Sequence, residues 1–246
     1  MEKSKNWMNN MLFGVFLAFG VVLAALVIAD ALRTIKMSNQ YVTVKGYAEK
    51  EIKSDLAIWE SEVAVTSSDM VSAYNLLQTQ LAQVLSFFEK NGYSEAQLKV
   101  SPVSTVKLFK TNEKGWQSNQ VEGYRLSQII TIEDKNIDKV AELSSNSSEL
   151  LKEGIEFVSL QPRYLYTKIN DLKVEMLSNA SKDAKERAEV LAKNSGGEIG
   201  SIKAASQGVF QITPKNSTDI SDYGMNDMFS IEKVIKAVVT VDYYIK

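Results

Sequence analysis

The chain has 246 residues with a formal net charge of −2, and it contains no cysteine and no histidine. Those two absences exclude disulfides, thiolate nucleophiles, and catalysis through a Ser-His-Asp or Cys-His arrangement. They also exclude metal sites built from cysteine or histidine. The near balance of basic and acidic residues gives no electrostatic reason to expect a nucleic acid partner.

An uncharged apolar segment, "MLFGVFLAFGVVLAALVIA", occupies residues 11–29. A helix needs roughly 20 apolar residues to cross a bilayer core, whereas the apolar core of a cleaved signal peptide has about 7–15. We therefore predict a cytoplasmic tail over residues 1–10, a transmembrane signal anchor over 11–29 and a linker over 30–40. Cleavage after Ala31 is the alternative, because Ala29-Asp30-Ala31 has the small-x-small form of a processing site.

The orientation of this segment is not fixed by charge alone, since basic residues lie on both sides of it. Lys3 and Lys5 favour a cytoplasmic N-terminus. The domain at residues 41–246 is then expected outside the cytoplasm, on the periplasmic or cell-surface side.

Two alternating segments open this domain. Tyr41 to Tyr47 and Ala57 to Val65 are predicted strands, with a charged, solvated turn between them, and Gly46 is expected to bend or end the first strand. Glu60 and Glu62 share the polar face of the second strand. Paired carboxylates can bind a hard cation or perform acid–base chemistry, but exposed pairing with nearby lysines is the favoured interpretation.

Helical periodicity follows in "SSDMVSAYNLLQTQLAQVLSFFEKNGY", with Ser68 or Asp69 as the N-cap and Gly92 as the end. The predicted apolar stripe contains Val71, Tyr74, Leu77, Leu81, Val84, Leu85 and Phe88. Strands around Pro102 and over residues 121–134 come next. A second helix over residues 136–152 is weakened by "SSNSS" and is followed by a strand pair around Pro162.

The clearest helix covers residues 170–195 and ends at Gly196 or Gly197. Its ridge recurs at every fourth residue: Leu172, Met176, Ala180, Ala184, Ala188 and Ala192. Small side chains permit close approach. Tight packing onto a sheet of the same domain is the favoured interpretation, and a helix contact between subunits is the alternative.

A long polar segment over residues 213–230 precedes the last strand, in which Ile235, Ala237, Val239, Val241 and Tyr243 share one face. Loops of this length are functional or disordered more often than not. The mixture of strands and about three helices, without a strict alternation, predicts an α+β fold with a largely antiparallel sheet.

Four segments, in order, carry a resemblance to one family. "VTVKGYAEKEIKSDLAIW", "EGYRLSQIITIEDKNIDKV", "ASKDAKERAEVLAKNSGGEIGSI" and "AVVTVDYYI" resemble the opening strands, the central strand, the alanine-rich helix and the closing strand of SIMPL-domain proteins. The resemblance covers residues 41–246. The sequence departs from the family at Ser54, where a proline usually precedes the aspartate.

The resemblance implies an exported or envelope-associated protein, with oxidative stress roles and a ring-like oligomer known among its relatives. It implies no catalytic, cofactor-binding or metal-ligating residues, and no cofactor. We therefore expect no enzyme activity, but a homo-oligomer or a binder of an envelope protein. One alternative is a cell-surface small-ligand binder or enzyme that uses carboxylates, tyrosine or lysine, with a pocket near Glu60 or Arg125. Another is an accessory subunit of a transporter or stress sensor.

The anchor prediction is tested by intact-mass spectrometry of the protein isolated from membranes. A retained anchor gives a chain that includes residues 11–29. A chain that begins at Leu32 would show cleavage after Ala31 and contradict the anchor.

Overall fold

The computed structural model describes residues 2–37, 40–112 and 115–246, and in the first range the side chains of residues 13–32. Helix α1 extends over Glu2–Met37. It is longer than the predicted anchor and includes residues 30–37 of the predicted linker. Residues 38 and 39 of that linker lie outside the described residues.

The remaining elements follow in chain order and alternate irregularly between strands and helices. They are β1 (Tyr41–Lys53), β2 (Leu56–Ser67), α2 (Met70–Lys90), β3 (Leu98–Val100), β4 (Ser104–Thr111), β5 (Gln117–Asp134), α3 (Ile137–Asn146), α4 (Glu149–Lys152), β6 (Glu156–Ser159), β7 (Arg163–Leu165), α5 (Ile169–Asn194), β8 (Ile199–Gln207), β9 (Gln211–Pro214), β10 (Met225–Asn226) and β11 (Glu232–Ile245). The predicted α+β class is confirmed.

Contacts between residues divide the chain into two compact units. The first contains the described residues up to 48 together with 175–208 and 237–246, and the second contains 49–174 and 209–236. In the first unit, β11 pairs with β1 and, antiparallel, with β8. The N–H of Ile245 donates to the carbonyl of Gln40 at 3.1 Å, at the start of the strand that follows the apolar helix.

Helix α5 makes its closest approach in the first unit at Gly46 of β1. A Cβ atom added to Gly46 would lie 2.0 Å from the carbonyl oxygen of Ala180 and 2.7 Å from the Cβ of Ala184. Both alanines are completely buried. The alanine ridge therefore packs within the chain, as favoured above, and the alternative of a contact between subunits through this ridge is wrong.

Next to this contact, the carboxylate of Asp183 on α5 accepts a hydrogen bond from the Tyr47 N–H at 2.7 Å. Arg187, one turn further along the helix, donates to the same oxygen at 2.8 Å. The backbone hydrogen bond, followed by the guanidinium, lowers the pKa of Asp183 below its ordinary value. The edge strand and the helix are thus joined by packing and by a charge-assisted hydrogen bond.

The second unit contains an antiparallel sheet in the order β3-β5-β2-β6, with β4 paired to β5 and β7 paired to β2. Helices α2 and α3 pack on β2 and β5. The indole of Trp59 is fully buried among them, edge-on to Phe88 at a centroid distance of 5.7 Å. Its Nε1–H donates to the carbonyl of Leu160 at 3.0 Å, so its polar atom is satisfied.

Most predicted element boundaries agree with the structure. Asp69 caps α2 by accepting from the Ser72 N–H at 2.8 Å, and Gly92 follows the helix with φ of 81°. The "SSNSS" segment separates α3 from α4, and the three predicted helices correspond to α2, the interrupted pair α3 and α4, and α5.

Two local predictions are wrong. The first strand does not end at Gly46 but continues to Lys53, because the glycine serves the contact with α5 and the buried Ile52 keeps the strand in the fold. In α2, Val71 and Tyr74 are exposed, and Ala73 occupies the buried face instead. The predicted helical phase of α2 is correct from Leu77 onward, but the large apolar residues of its first turns face solvent.

Replacing Gly46 by alanine should destabilise the protein, because the new methyl group overlaps backbone atoms of α5 that have no rotamer freedom. We expect a loss of about 3 kcal/mol, at the upper end of overpacking penalties, and a fall in Tm of about 6–12 °C. The measurement is thermal unfolding of the full-length protein in detergent. The matched control is Gly20→Ala, whose added Cβ meets nothing within 4 Å; equal Tm values for both variants would contradict the close contact.

Candidate functional site

Of the acidic pair on β2, Glu60 is engaged in an ion pair. Glu60 Oε1 accepts from Arg163 Nη2 at 2.8 Å, so its partner is an arginine of β7 and not one of the lysines that the sequence suggested. Arg125 is paired in the same way with Glu156 at 2.5 Å. Within the described part of the chain, no group of three or more acidic residues is arranged to hold a metal ion.

A lysine that sequence reasoning passed over is the most unusual polar group in the second unit. Lys233 lies on β11 and is only 2% exposed. Its ammonium donates to the carbonyl of Tyr164 at 2.6 Å and, more closely still, to the carbonyl of Asp227. Burial lowers the pKa of Lys233 below its ordinary value, and the nearby charge of Asp227 opposes that shift.

The second unusual polar side chain is that of Asp227, which lies next to Lys233. Its Oδ1 accepts from the N–H groups of Phe229 and Ser230, at 2.9 and 3.3 Å. Burial raises the pKa of this carboxyl, but the hydrogen bonds from Phe229 and Ser230 and the charge of Lys233 outweigh it, so the pKa lies below its ordinary value. Its Oδ2 is buried and accepts no hydrogen bond from any group that the structure describes.

These two side chains border a cavity of about 250 Å³. The rest of its lining is largely apolar and comes from β1, the end of β7 and the residues after it, the start of α5, β9 and β10: Ile52, Leu165, Tyr166, Thr167, Ile169, Ile212 and Asn226. An ammonium and a carboxylate at the wall of a small apolar cavity are the features expected of a binding site for a small molecule.

The segment between β9 and β11, residues 215–231, carries Asp227 and exposes several apolar side chains. Tyr223 is 97% exposed and Ile220 is 79% exposed. The segment is fixed at its second half, where the N–H of Tyr164 donates to the carbonyl of Met228 at 2.6 Å. We call it the 215–231 segment.

The sequence does contain a signal for Lys233. Its position has the same parity as the apolar face of β11, two residues before Ile235, so alternation alone places an ammonium on a buried face. The partners of Lys233 could not be inferred, since both are backbone carbonyls. Nor does Asp227 stand out in a segment rich in polar residues.

Comparison with known proteins gives one result. A family model matches residues 42–243, and the matched family is SIMPL, described as "Protein of unknown function (DUF541)". The match begins in β1 and ends in β11. No curated protein matches the chain.

Replacing Lys233 by methionine keeps the apolar stem and removes the donor to two carbonyls, that of Tyr164, which is buried, and that of Asp227, which is partly buried. Each carbonyl left unsatisfied costs about 1–3 kcal/mol, so we expect a loss of about 3 kcal/mol at pH 7, measured by chemical denaturation. Lys236→Met, on the same strand, is the control; Lys236 is half-buried and donates to one carbonyl, that of Ser217, at 3.1 Å. The control should lose less.

The pH dependence tests the same lysine. Because its folded pKa is lowered, the unfolded chain binds more protons between that pKa and about 10.4, so this group makes stability rise with pH in that window. The stability difference between wild type and Lys233→Met should therefore widen as the pH approaches 10. A difference that narrows would contradict a lowered pKa.

Proposed function

The chain belongs to the SIMPL family, and on that premise we propose that its folded part acts by binding and self-assembly in the cell envelope, held at the membrane by helix α1. The domain lies on the extracytoplasmic side, as the resemblance and the lysines before the apolar segment favour. The proposal includes no catalysis.

The exposed apolar helix carries this proposal. Residues Phe13–Leu32 have a mean hydropathy of 2.6, and none of this segment is buried within the protein. A span of that length matches a bilayer core, and an apolar surface of that size requires a membrane or a protein to cover it. A signal sequence has the same features, and the mass measurement described above distinguishes the two.

Binding is favoured over catalysis by the state of the polar groups. Glu60 and Arg125, the residues on which a catalytic alternative was based, are engaged in ion pairs with Arg163 and Glu156. Histidine and cysteine are absent from the sequence. The groups that most often perform acid–base and nucleophilic chemistry are therefore missing or neutralised.

The 215–231 segment is the proposed contact surface between copies of the chain. Tyrosine and other large apolar residues are enriched at protein interfaces, while they are uncommon at nearly full exposure. Tyr223 and Ile220 meet that description. The alanine ridge of α5 is buried within the chain and is not available for such a contact, whereas the 215–231 segment exposes its apolar side chains.

A second candidate function, small-ligand binding, is favoured by the cavity beside Lys233 and is developed below. A role in stress remains a prediction from the resemblance, and the accessory subunit of a transporter or stress sensor remains an alternative prediction. The cross-linking experiment below can detect an accessory subunit, because such a subunit would be linked to a different protein.

The absence of cysteine allows a cross-linking test without background. Tyr223→Cys in the full-length protein, oxidised in native membranes, should give a disulfide-linked dimer on a non-reducing gel. Val71→Cys is the control, because that side chain is also exposed, at 66%, but lies on α2. It should give no dimer above background.

Two results would overturn self-assembly through this surface. One is an equal dimer yield from both variants, which would indicate random collision. The other is an adduct of Tyr223→Cys with a different protein, which would support the accessory-subunit alternative. As a check on fold, both variants should have the Tm of the wild type under reducing conditions.

A further inference from the structure

We propose that the cavity beside Lys233 and Asp227 binds a small neutral alcohol, a compact apolar ring or chain that carries one hydroxyl group. This inference does not depend on the assembly proposed above, because the cavity lies within the second unit and is formed by one copy of the chain.

The size and lining of the cavity determine the apolar part of the ligand. An engineered apolar cavity of 150 Å³ in another protein is large enough for benzene, so about 250 Å³ accommodates a six-membered ring with a substituent. Three isoleucines, Ile52, Ile169 and Ile212, contribute to the lining. The volume is below the range typical of sites for drug-sized molecules.

The hydrogen-bonding groups determine the polar part. A lysine ammonium has three N–H donors, and two of those of Lys233 are directed to the carbonyls of Tyr164 and Asp227. One donor is left. Asp227 Oδ2, by contrast, is a buried acceptor to which no described group donates. A hydroxyl group both accepts and donates, so one ligand oxygen can satisfy the donor of Lys233 and the acceptor of Asp227.

The two charges determine the charge of the ligand. A cationic ligand would be attracted by Asp227 but would lie beside the ammonium of Lys233, and an anionic ligand would meet the carboxylate. Like charges in contact with each other in a partly buried site repel strongly. A neutral ligand avoids both penalties.

Four compounds with the same six-membered ring differ in hydrogen bonding and charge: cyclohexanol, cyclohexanone, cyclohexylamine and cyclohexanecarboxylate. Comparing them tests the need for a hydroxyl group and for a neutral ligand separately. We would titrate each into the full-length protein in lipid nanodiscs, with ¹³C-labelled isoleucine methyl groups as the reporters. Cyclohexanol should shift the signals of Ile52, Ile169 and Ile212. The signals of Ile137 and Ile155, in the packed core of the same unit, should stay unchanged.

Cyclohexanol should bind about ten-fold more tightly than cyclohexanone, since only the alcohol can donate to the carboxylate, and hydrogen bonds to charged groups are the stronger ones. The charged compounds should bind more weakly than the alcohol. Equal affinity for all four compounds, or no shift at the three cavity isoleucines, would overturn the proposal.

The substitution Asp227→Asn tests whether Asp227 contacts the ligand directly, because a purely structural role would not change which compound is preferred. Oδ1 is kept in place by the N–H groups of Phe229 and Ser230, so the new amide NH₂ should take the position of Oδ2. The acceptor becomes a donor, and the preference should reverse in favour of cyclohexanone. Unchanged preference in a variant with wild-type Ile137 and Ile155 signals would overturn the direct hydrogen bond to Asp227.

Discussion

The burial of one ammonium group on the apolar face of β11 is the constraint around which much of the second unit is arranged. An unpaired charge in a protein interior is far more costly than most packing defects. Lys233 offsets part of that cost by donating to the carbonyls of Tyr164 and Asp227, which come from β7 and from the 215–231 segment. One side chain thus joins β11 to β7, 69 residues away in sequence, and to the 215–231 segment that directly precedes β11. Any rearrangement of the segment would have to find new acceptors for the ammonium.

The sequence was sufficient for the fold class and for most elements, because these depend on local patterns. Alternation identified the buried face of β11 from Ile235 to Tyr243, and the serine-rich interruption between α3 and α4 follows from weak helix propensity. Local patterns could not predict that Gly46 is needed for the close contact with α5. A glycine in a strand indicates a bend, an end or a close approach equally well, and only the position of α5 decides among them.

The candidate site was harder to predict from the sequence for the same reason. Its defining contacts are between a side chain and backbone carbonyls, and Lys233 and Tyr164 are separated by 69 positions. Backbone acceptors leave no trace in residue identity. Sequence reasoning singled out Glu60 and Arg125 for their charges. Those charges are neutralised by Arg163 on the neighbouring strand β7 and by Glu156 on β6, which lies on the other side of β2 from Arg125. Prominent charge in a strand was therefore a poor guide to the site.

The departure from the family pattern at Ser54 has a structural explanation. The N–H of Ser54 donates to the carbonyl of Ile231 at 2.9 Å, a hydrogen bond that a proline could not make. Asp55, the family's aspartate, accepts from the N–H and the hydroxyl of Thr167, at 2.7 and 2.8 Å. The motif that most resembles the family is therefore occupied with fixing the turn after β1, a structural role that can persist without any shared chemistry.

The contact at Gly46 also has a mechanical consequence. Tension applied at the start of β1, where Gln40 accepts from the N–H of Ile245, would be carried along that strand. Within that strand it reaches the position where the backbones of β1 and α5 are closest, and the adjacent hydrogen bond from Tyr47 to Asp183 resists the same displacement. Gly46, Ala180 and Ala184 have no rotatable side chains, so this contact cannot adjust by changing rotamers. A load would therefore pass from the strand to the helix with little local deformation. A stiff junction of this kind limits sliding of β1 against α5.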